Sequence, residues 1–404
     1  MIAVNNEAGC WPNRAQELML RAALLEREPA LDAWNEWRRT VDIDVVDYGS
    51  HRMIPQLYRN LQRHGVKDPL MERLKGVYRY YLYKNEILMH RIGALLAAFE
   101  EAGIQMMVLK GAALIQLYYR ESGLRPMLDA DVLVHAHQAE QAMELLQRLR
   151  WKSVRHAPQT YIPIIHSTPF EDDGGRQVDL HWHLFWECFN ANDDDEYWKN
   201  AVPVKIGGVQ TLTLNPTDQL LHTCWHGARW NEVPPIRWIA DAMAIMRGSA
   251  AEIDWEGLHK KAQRHRIVMP IKDSLQYLKN TFEAPVPDTL LKSLSAVRIS
   301  KIERENYEVS LNPLAPPTTA KILRLLYYDY RWLSSSTSSR FKSLAFAKHL
   351  QAKWNIDRLW HAGGFSVSES GHTNLDTDGT RCQRLWTRQR FALSACDCSH
   401  EAWN

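Results

Sequence analysis

Residues 125–134 read Arg125-Pro126-Met127-Leu128-Asp129-Ala130-Asp131-Val132-Leu133-Val134, and the alternation in this stretch decides how the chain around it is understood. Successive side chains of a strand point to opposite faces, so Asp129 and Asp131 share one face while Ala130 and Val132 share the other. Carboxylates held that close repel. A divalent cation relieves the repulsion, and ligation by oxygen alone suits Mg²⁺. Ahead of the strand stands Lys110-Gly111-Ala112-Ala113-Leu114, where a glycine opens a helix 18 residues (129 − 111) before the acidic pair. Beyond it, Val178-Asp179-Leu180-His181-Trp182-His183 supplies a third aspartate 50 residues on (179 − 129). Together these stretches predict metal-dependent phosphoryl-type chemistry.

The 404 residues suffice for two or three units with their own cores. The 49 Lys and Arg nearly balance 47 Asp and Glu, a formal charge of +2, so no global field recruits nucleic acid or an anionic membrane. No apolar run approaches the roughly 20 residues of a membrane span, and the first residues lack a signal pattern; the expectation is a soluble, cytoplasmic protein. Six scattered cysteines fit free thiols in a reducing compartment rather than a disulfide framework. Cys396-x-Cys398 lacks the further ligands of a zinc site.

Residues 1–101 read as a helical segment, with apolar side chains at helical spacing through Leu18–Leu25 and again through Leu70–Phe99. Gly103 is a natural helix stop, after which Gln105–Leu109 is a short apolar strand. Residues 102–214 read as a small mixed unit: the Gly111 helix, the Leu128–Val134 strand, an amphipathic helix over Gln138–Leu149, then two extended runs, Tyr161–Phe170 and Gln177–Leu184, joined by hairpin chemistry at Gly174-Gly175. Val204–Leu214 reads as one further β-like segment. Residues 215–360 read as a second helical domain, starting at Pro216-Thr217-Asp218 and including runs over 320–333 and 341–359. Residues 361–404 are polar without a period and are expected to be disordered.

The quoted stretches resemble the polymerase-β superfamily of nucleotidyltransferases, whose pattern is a small-residue helix start, an Asp-x-Asp strand and a third carboxylate on a neighbouring strand. Leu109-Lys-Gly-Ala-Ala-Leu114, Arg125–Val134 and Val178–Leu184 are most similar to its poorly characterised bacterial branch, and Asp218–Gly227, Arg237–Asp241 and Ile253–Trp255 extend the likeness into the helical half. The sequence departs at Gly111-Ala112, where a Gly-Gly or Gly-Ser pair is usual, and at Met127, where Thr is frequent. The resemblance implies an α+β nucleotidyltransferase core with flanking helices that transfers a nucleoside monophosphate from an NTP to an acceptor hydroxyl. Asp129, Asp131 and Asp179 would hold Mg²⁺ (Mn²⁺ being the other candidate). Lys110, Gly111, Ala112 and Arg125 would face the triphosphate, with a structural partner of the acidic strand as the equal alternative for Arg125. The acceptor is open among a small molecule, a sugar, a peptide and a protein; an RNA end has no basic stripe to support it.

Other residues are weighed on their spacing. His181 and His183 are expected to share the face of Asp179 and line a nucleotide or acceptor pocket, with backbone hydrogen bonding or metal ligation as alternatives. His222 and His226 have the spacing of a metalloprotease pair, but Thr223 stands where the base would be, so they are expected to cap or line the cleft. Arg237 and Asp241 read as a helix ion pair and Asp193–Asp195 as solvated charge. A kinase-like phosphotransferase and a non-catalytic NTP-binding module are the rival functions; retention of all three aspartates argues against the second.

Overall fold

The protein was analysed as a computed structural model. The structure describes residues 9–154, 165–185, 194–229 and 234–311, with positions 159, 162 and 327. The expected helices over 320–333 and 341–359, the tail, Cys396-x-Cys398, Asp193 and the start of the Tyr161–Phe170 run lie outside them, Tyr327 excepted.

Local signals set the helix starts. At the first, α1 (Arg14–Leu24), the Asn13 side chain accepts from the Gln16 N–H while the Gln16 side chain accepts from that of Asn13, a reciprocal cap. The chain continues through α2 (Arg27–Thr40), α3 (Tyr48–His51), α4 (Ile54–Arg63) and the long α5 (Met71–Glu101). Helix α5 buries Leu88, Met89, Ile92, Leu95, Leu96 and Phe99 along one stripe. It ends at Gly103, whose φ of +69° suits a residue with no Cβ.

The central unit runs β1 (Met106–Leu109), α6 (Lys110–Leu114), β2 (Asp129–Val134), α7 (Ala139–Arg148), β3 (Lys152–Ser153), β4 (Ser167–Glu171), β5 (Gln177–His181), α8 (Asp195–Lys199), β6 (Val202–Ile206) and β7 (Val209–Thr213). All seven strands join one sheet in the order β3-β4-β5-β2-β1-β7-β6. The β4–β5 hairpin forms as expected across Gly174-Gly175. Val204–Leu214, read as one segment, is instead a second hairpin, because Gly207 and Gly208 turn the chain at φ of +54° and +90°. Its strand β7 runs parallel to β1.

The register of β2 on β5 is parallel and sets Asp131 beside Asp179 and Leu133 beside His181. Alternation sorts the sheet into two faces. Met106, Val108, Ala130, Val132, Val178 and Leu180 pack in one core with the stripe of α5 and with Ala142, Met143 and Leu146 of α7. Met107, Leu109 and Leu133, on the face of the aspartates, belong to a second core that also takes in the N-terminal helices and the C-terminal ones. The latter are α9 (Pro216–Gly227), α10 (Arg237–Gly248), α11 (Trp255–Arg264), α12 (Val268–Phe282), α13 (Asp288–Ala296) and α14 (Lys301–Leu311). Pro216 opens α9 as expected, capped by the Asn215 side chain, which accepts from the Asp218 N–H. Helix α14 was not anticipated.

Candidate active site

Strand β2 delivers Asp131 to the floor of a cleft between the sheet and helices α9 and α10, where Lys110, Asp129, His222, His226 and Arg237 line the walls. Asp131 is buried and accepts from Lys110 Nζ at 2.7 Å and from His181 Nε2 at 3.2 Å. Burial alone would raise its pKa; Lys110 and His181 overcome that and hold the carboxyl well below the usual carboxylate range. Lys110 itself adopts the left-handed region, φ +46°, between β1 and α6. That conformation costs a non-glycine residue about 1–3 kcal/mol, and such strain concentrates at functional positions.

Asp179 stands on β5 directly across from Asp131. Its Oδ2 accepts from Ser167 Oγ at 3.2 Å and from His181 Nε2 at 3.0 Å, while its Oδ1 is buried with no hydrogen-bond partner. Burial opposes charge on His181, which is 2% exposed, but Asp179 and Asp131 outweigh it and push the imidazole up to about 9. Asp131, Asp179 and His181 each offer one donor atom, and the three atoms lie within 4.8 Å of one another. This set, with an orphaned buried carboxylate oxygen in it, fits a divalent cation. Asp129 lies on the same strand face and lines the cleft, outside that close group.

The structure departs from several expectations. His183 does not share the face of Asp179, because β5 ends at His181 and the turn that follows sends His183 Nδ1 to Asp194 Oδ2 at 2.7 Å. Asp194 is accordingly buried rather than solvated. Arg125 lines the cleft with Lys110 and Gly111, and it is also buried against α10, where Nε and Nη2 donate to the two carboxylate oxygens of Asp241, both at 2.8 Å. Asp241 therefore does not pair with Arg237, whose Nη1 donates to the Pro126 carbonyl at 2.8 Å. The third nitrogen of Arg125 packs on Gly111: a Cβ there would lie 2.6 Å from Nη1 and 2.7 Å from Met127 Sδ.

Several residues around the site escaped the sequence reading. Asn85, fully buried on α5, donates to the carbonyl of Arg125 at 2.8 Å and accepts from the Met127 N–H at 3.2 Å, so it pins the loop that leads into Asp129. The signal was present: Asn85 is a polar residue on the helical stripe that runs from Tyr81 to Leu88 and Met89. His166 stacks edge-on against His181 with ring centroids 5.3 Å apart; burial, then the charge of His181, depress its pKa well below the ordinary value. His222 is held neutral in the same way, by burial and by Lys110. No helix among the described residues is long and apolar enough to cross a membrane.

No curated protein matches the chain. Among solved structures, one similar chain is the lincosamide antibiotic adenylyltransferase LnuA in its lincomycin-bound form: 15% identity, covering 32% of this chain and 80% of that one, TM-score 0.25. Another is an antigenic nucleotidyltransferase-like protein from Paracoccidioides brasiliensis: 14% identity, 52% of this chain and 94% of that one, TM-score 0.33. At these TM-scores the likeness carries no weight for activity or acceptor. A family model described as "Uncharacterised nucleotidyltransferase" matches residues 48–283, a span that runs from α3 to the end of α12 and holds every cleft residue described above, and the chain belongs to that nucleotidyltransferase family.

Proposed function

We propose that the protein transfers a nucleoside monophosphate from an NTP to an acceptor hydroxyl, releasing pyrophosphate, with the help of a divalent cation. The observation that supports this most directly is the in-register pairing of Asp131 and Asp179 beside Lys110 on the cleft floor. Asp129, Asp131 and Asp179 would hold the cation, Mg²⁺ or Mn²⁺, which when bound neutralises charge on the phosphates. Lys110 and the backbone of Gly111 and Ala112 face the triphosphate. Arg125, its charge already balanced by Asp241, positions Gly111 rather than touching phosphate. Asp179 orients the acceptor hydroxyl and takes its proton as the oxygen attacks the α-phosphorus; the bond from that phosphorus to the bridging oxygen breaks, and pyrophosphate leaves. Residues 102–214 form the catalytic core in this reading, flanked by helical units over 1–101 and 215–360.

The test is incubation of the full chain with each α-labelled NTP and Mg²⁺ or Mn²⁺ against panels of hydroxyl-bearing small molecules, sugars, peptides and proteins. Label transfer with pyrophosphate release is expected, and loss of both in Asp131→Asn. Absence of NTP binding and of any transfer would defeat the proposal, as would full activity in a double Asp129→Asn, Asp131→Asn variant.

A further inference from the structure

The donor atoms that converge on the cleft floor are not three carboxylates. They are two carboxylates and an imidazole, the only such group of three among the described residues. Ligands that sit about 2.1 Å from an ion and at right angles to one another lie roughly 3.0 Å apart. His181 Nε2 is 3.0 Å from Asp179 Oδ2 and 3.2 Å from Asp131 Oδ1, which matches two edges of such a shell, and the three donor atoms all lie within 4.8 Å of one another; Lys110 Nζ, 2.7 Å from the same Asp131 Oδ1, gives up that contact when an ion binds. His181 has little freedom to withdraw: its side chain is 2% exposed, wedged beside His166 at the end of β5. The unpartnered Oδ1 of Asp179 offers a further lone pair in the same place.

We propose that His181 is a ligand of the ion through Nε2, together with Asp131 and Asp179, and that this mixed nitrogen–oxygen centre takes Mn²⁺ in preference to Mg²⁺. The inference rests on the metal-dependent reading above, but puts His181 in the place given there to Asp129 among the ion's ligands and adds a preference between ions. Mg²⁺ is a hard ion that favours oxygen, whereas imidazole suits first-row transition ions. On ligation, the Nε2 proton passes to solvent and its lone pair goes to the ion, leaving the Nδ1–H form of the ring. Asp129, outside the close group, keeps its place on the cleft wall toward the nucleotide.

Electron paramagnetic resonance on the full chain tests this with Mn²⁺ alone and with Mn²⁺ plus a non-hydrolysable NTP analogue. Pulsed spectra should carry the coupling of a directly bound ¹⁴N, converted to ¹⁵N by labelling histidine, and Mg²⁺ should displace Mn²⁺ only at tenfold or higher concentration. In His181→Gln the nitrogen coupling should vanish and the preference for Mn²⁺ should fall at least fivefold, while His183→Gln, altered at the Asp194 contact, keeps the coupling. Bound Mn²⁺ without nitrogen coupling in the wild-type protein would overturn the proposal and leave the oxygen-ligated reading standing. If His181→Gln does not fold, the wild-type spectrum still decides. No ion bound under either condition would defeat the metal-dependent reading itself.

Discussion

Replacing Asp241 with alanine strands the Arg125 guanidinium in the interior. The two side chains are 5% and 6% exposed and joined by two charge-assisted hydrogen bonds of 2.8 Å, and the Asp241 carboxylate also accepts from Tyr119 Oη at 2.8 Å. Removing one partner of such a pair leaves an uncompensated buried charge, which costs about 3–5 kcal/mol. The lost acceptor for the Tyr119 hydroxyl falls within that range, being worth about 1 kcal/mol. Replacing both partners with apolar residues of similar volume is near neutral, since the desolvation cost of both charges disappears with their attraction. The double variant Arg125→Met, Asp241→Leu should thus lie within about 1–2 kcal/mol of wild type and be clearly more stable than Asp241→Ala. Urea unfolding followed by tryptophan fluorescence measures both. A loss below about 1 kcal/mol for Asp241→Ala, or a double variant no more stable than the single one, would show that the pair does not carry the interface between the Asp129 loop and α10.

Three further outcomes follow from the geometry. Asn85→Ala leaves the Arg125 carbonyl and the Met127 N–H without their buried partner; about 2–4 kcal/mol of stability should be lost, with faster hydrogen exchange at the Met127 amide. Gly227→Ala drives a methyl group into the Trp238 ring, so about 1–3 kcal/mol of overpacking is expected, read as a lowered denaturation midpoint. Burial pushes the Cys10 thiol up to about 12 and raises that of Cys224 as well. At pH 8 the native Cys10 thiolate is then on the order of 10⁻⁴ of the total, against about a quarter in the unfolded chain. Peptide mapping after iodoacetamide treatment should find both cysteines unmodified until denaturant is added, with reactivity rising as pH climbs toward 12.

What the sequence made legible was local. Alternation around Ala130 placed Asp129 and Asp131 on one face, and Gly174-Gly175 marked the hairpin that brings β5 beside β2. Arg125 and Asp241 are 116 residues apart, so no periodicity could join them, whereas the i,i+4 spacing of Arg237 and Asp241 offered a plausible but wrong partner. His183 was misplaced because alternation holds only while the strand lasts, and nothing in Trp182-His183-Leu184 announces its end at His181. Asp194 looked solvated for its acidic company; its burial depends on His183 and the Leu184 N–H, to which it is also bonded. The second hairpin was missed although Gly207-Gly208 was in plain sight. His181 and His222 are read as pocket and cleft residues from their spacing, whereas His166 carries no such signal, since its place beside His181 needs β4 and β5 together.

The core on the aspartate face has a consequence for the order in which the molecule can assemble. Apolar side chains of α1, α2 and α4 share it with those of α9 to α13, and Arg247 Nη2 donates to the carbonyl of Leu24 across 223 residues. Helices α1, α2 and α4 therefore wait, with their apolar stripes only partly covered, until some 223 further residues have been made. Ordering contacts of that sequence separation is slow, because loop-closure entropy must be lost before they form. The cleft wall formed by His222, His226 and Arg237 is added beside Asp131 only when α9 and α10 have been made, so a nascent chain cannot present a finished cleft.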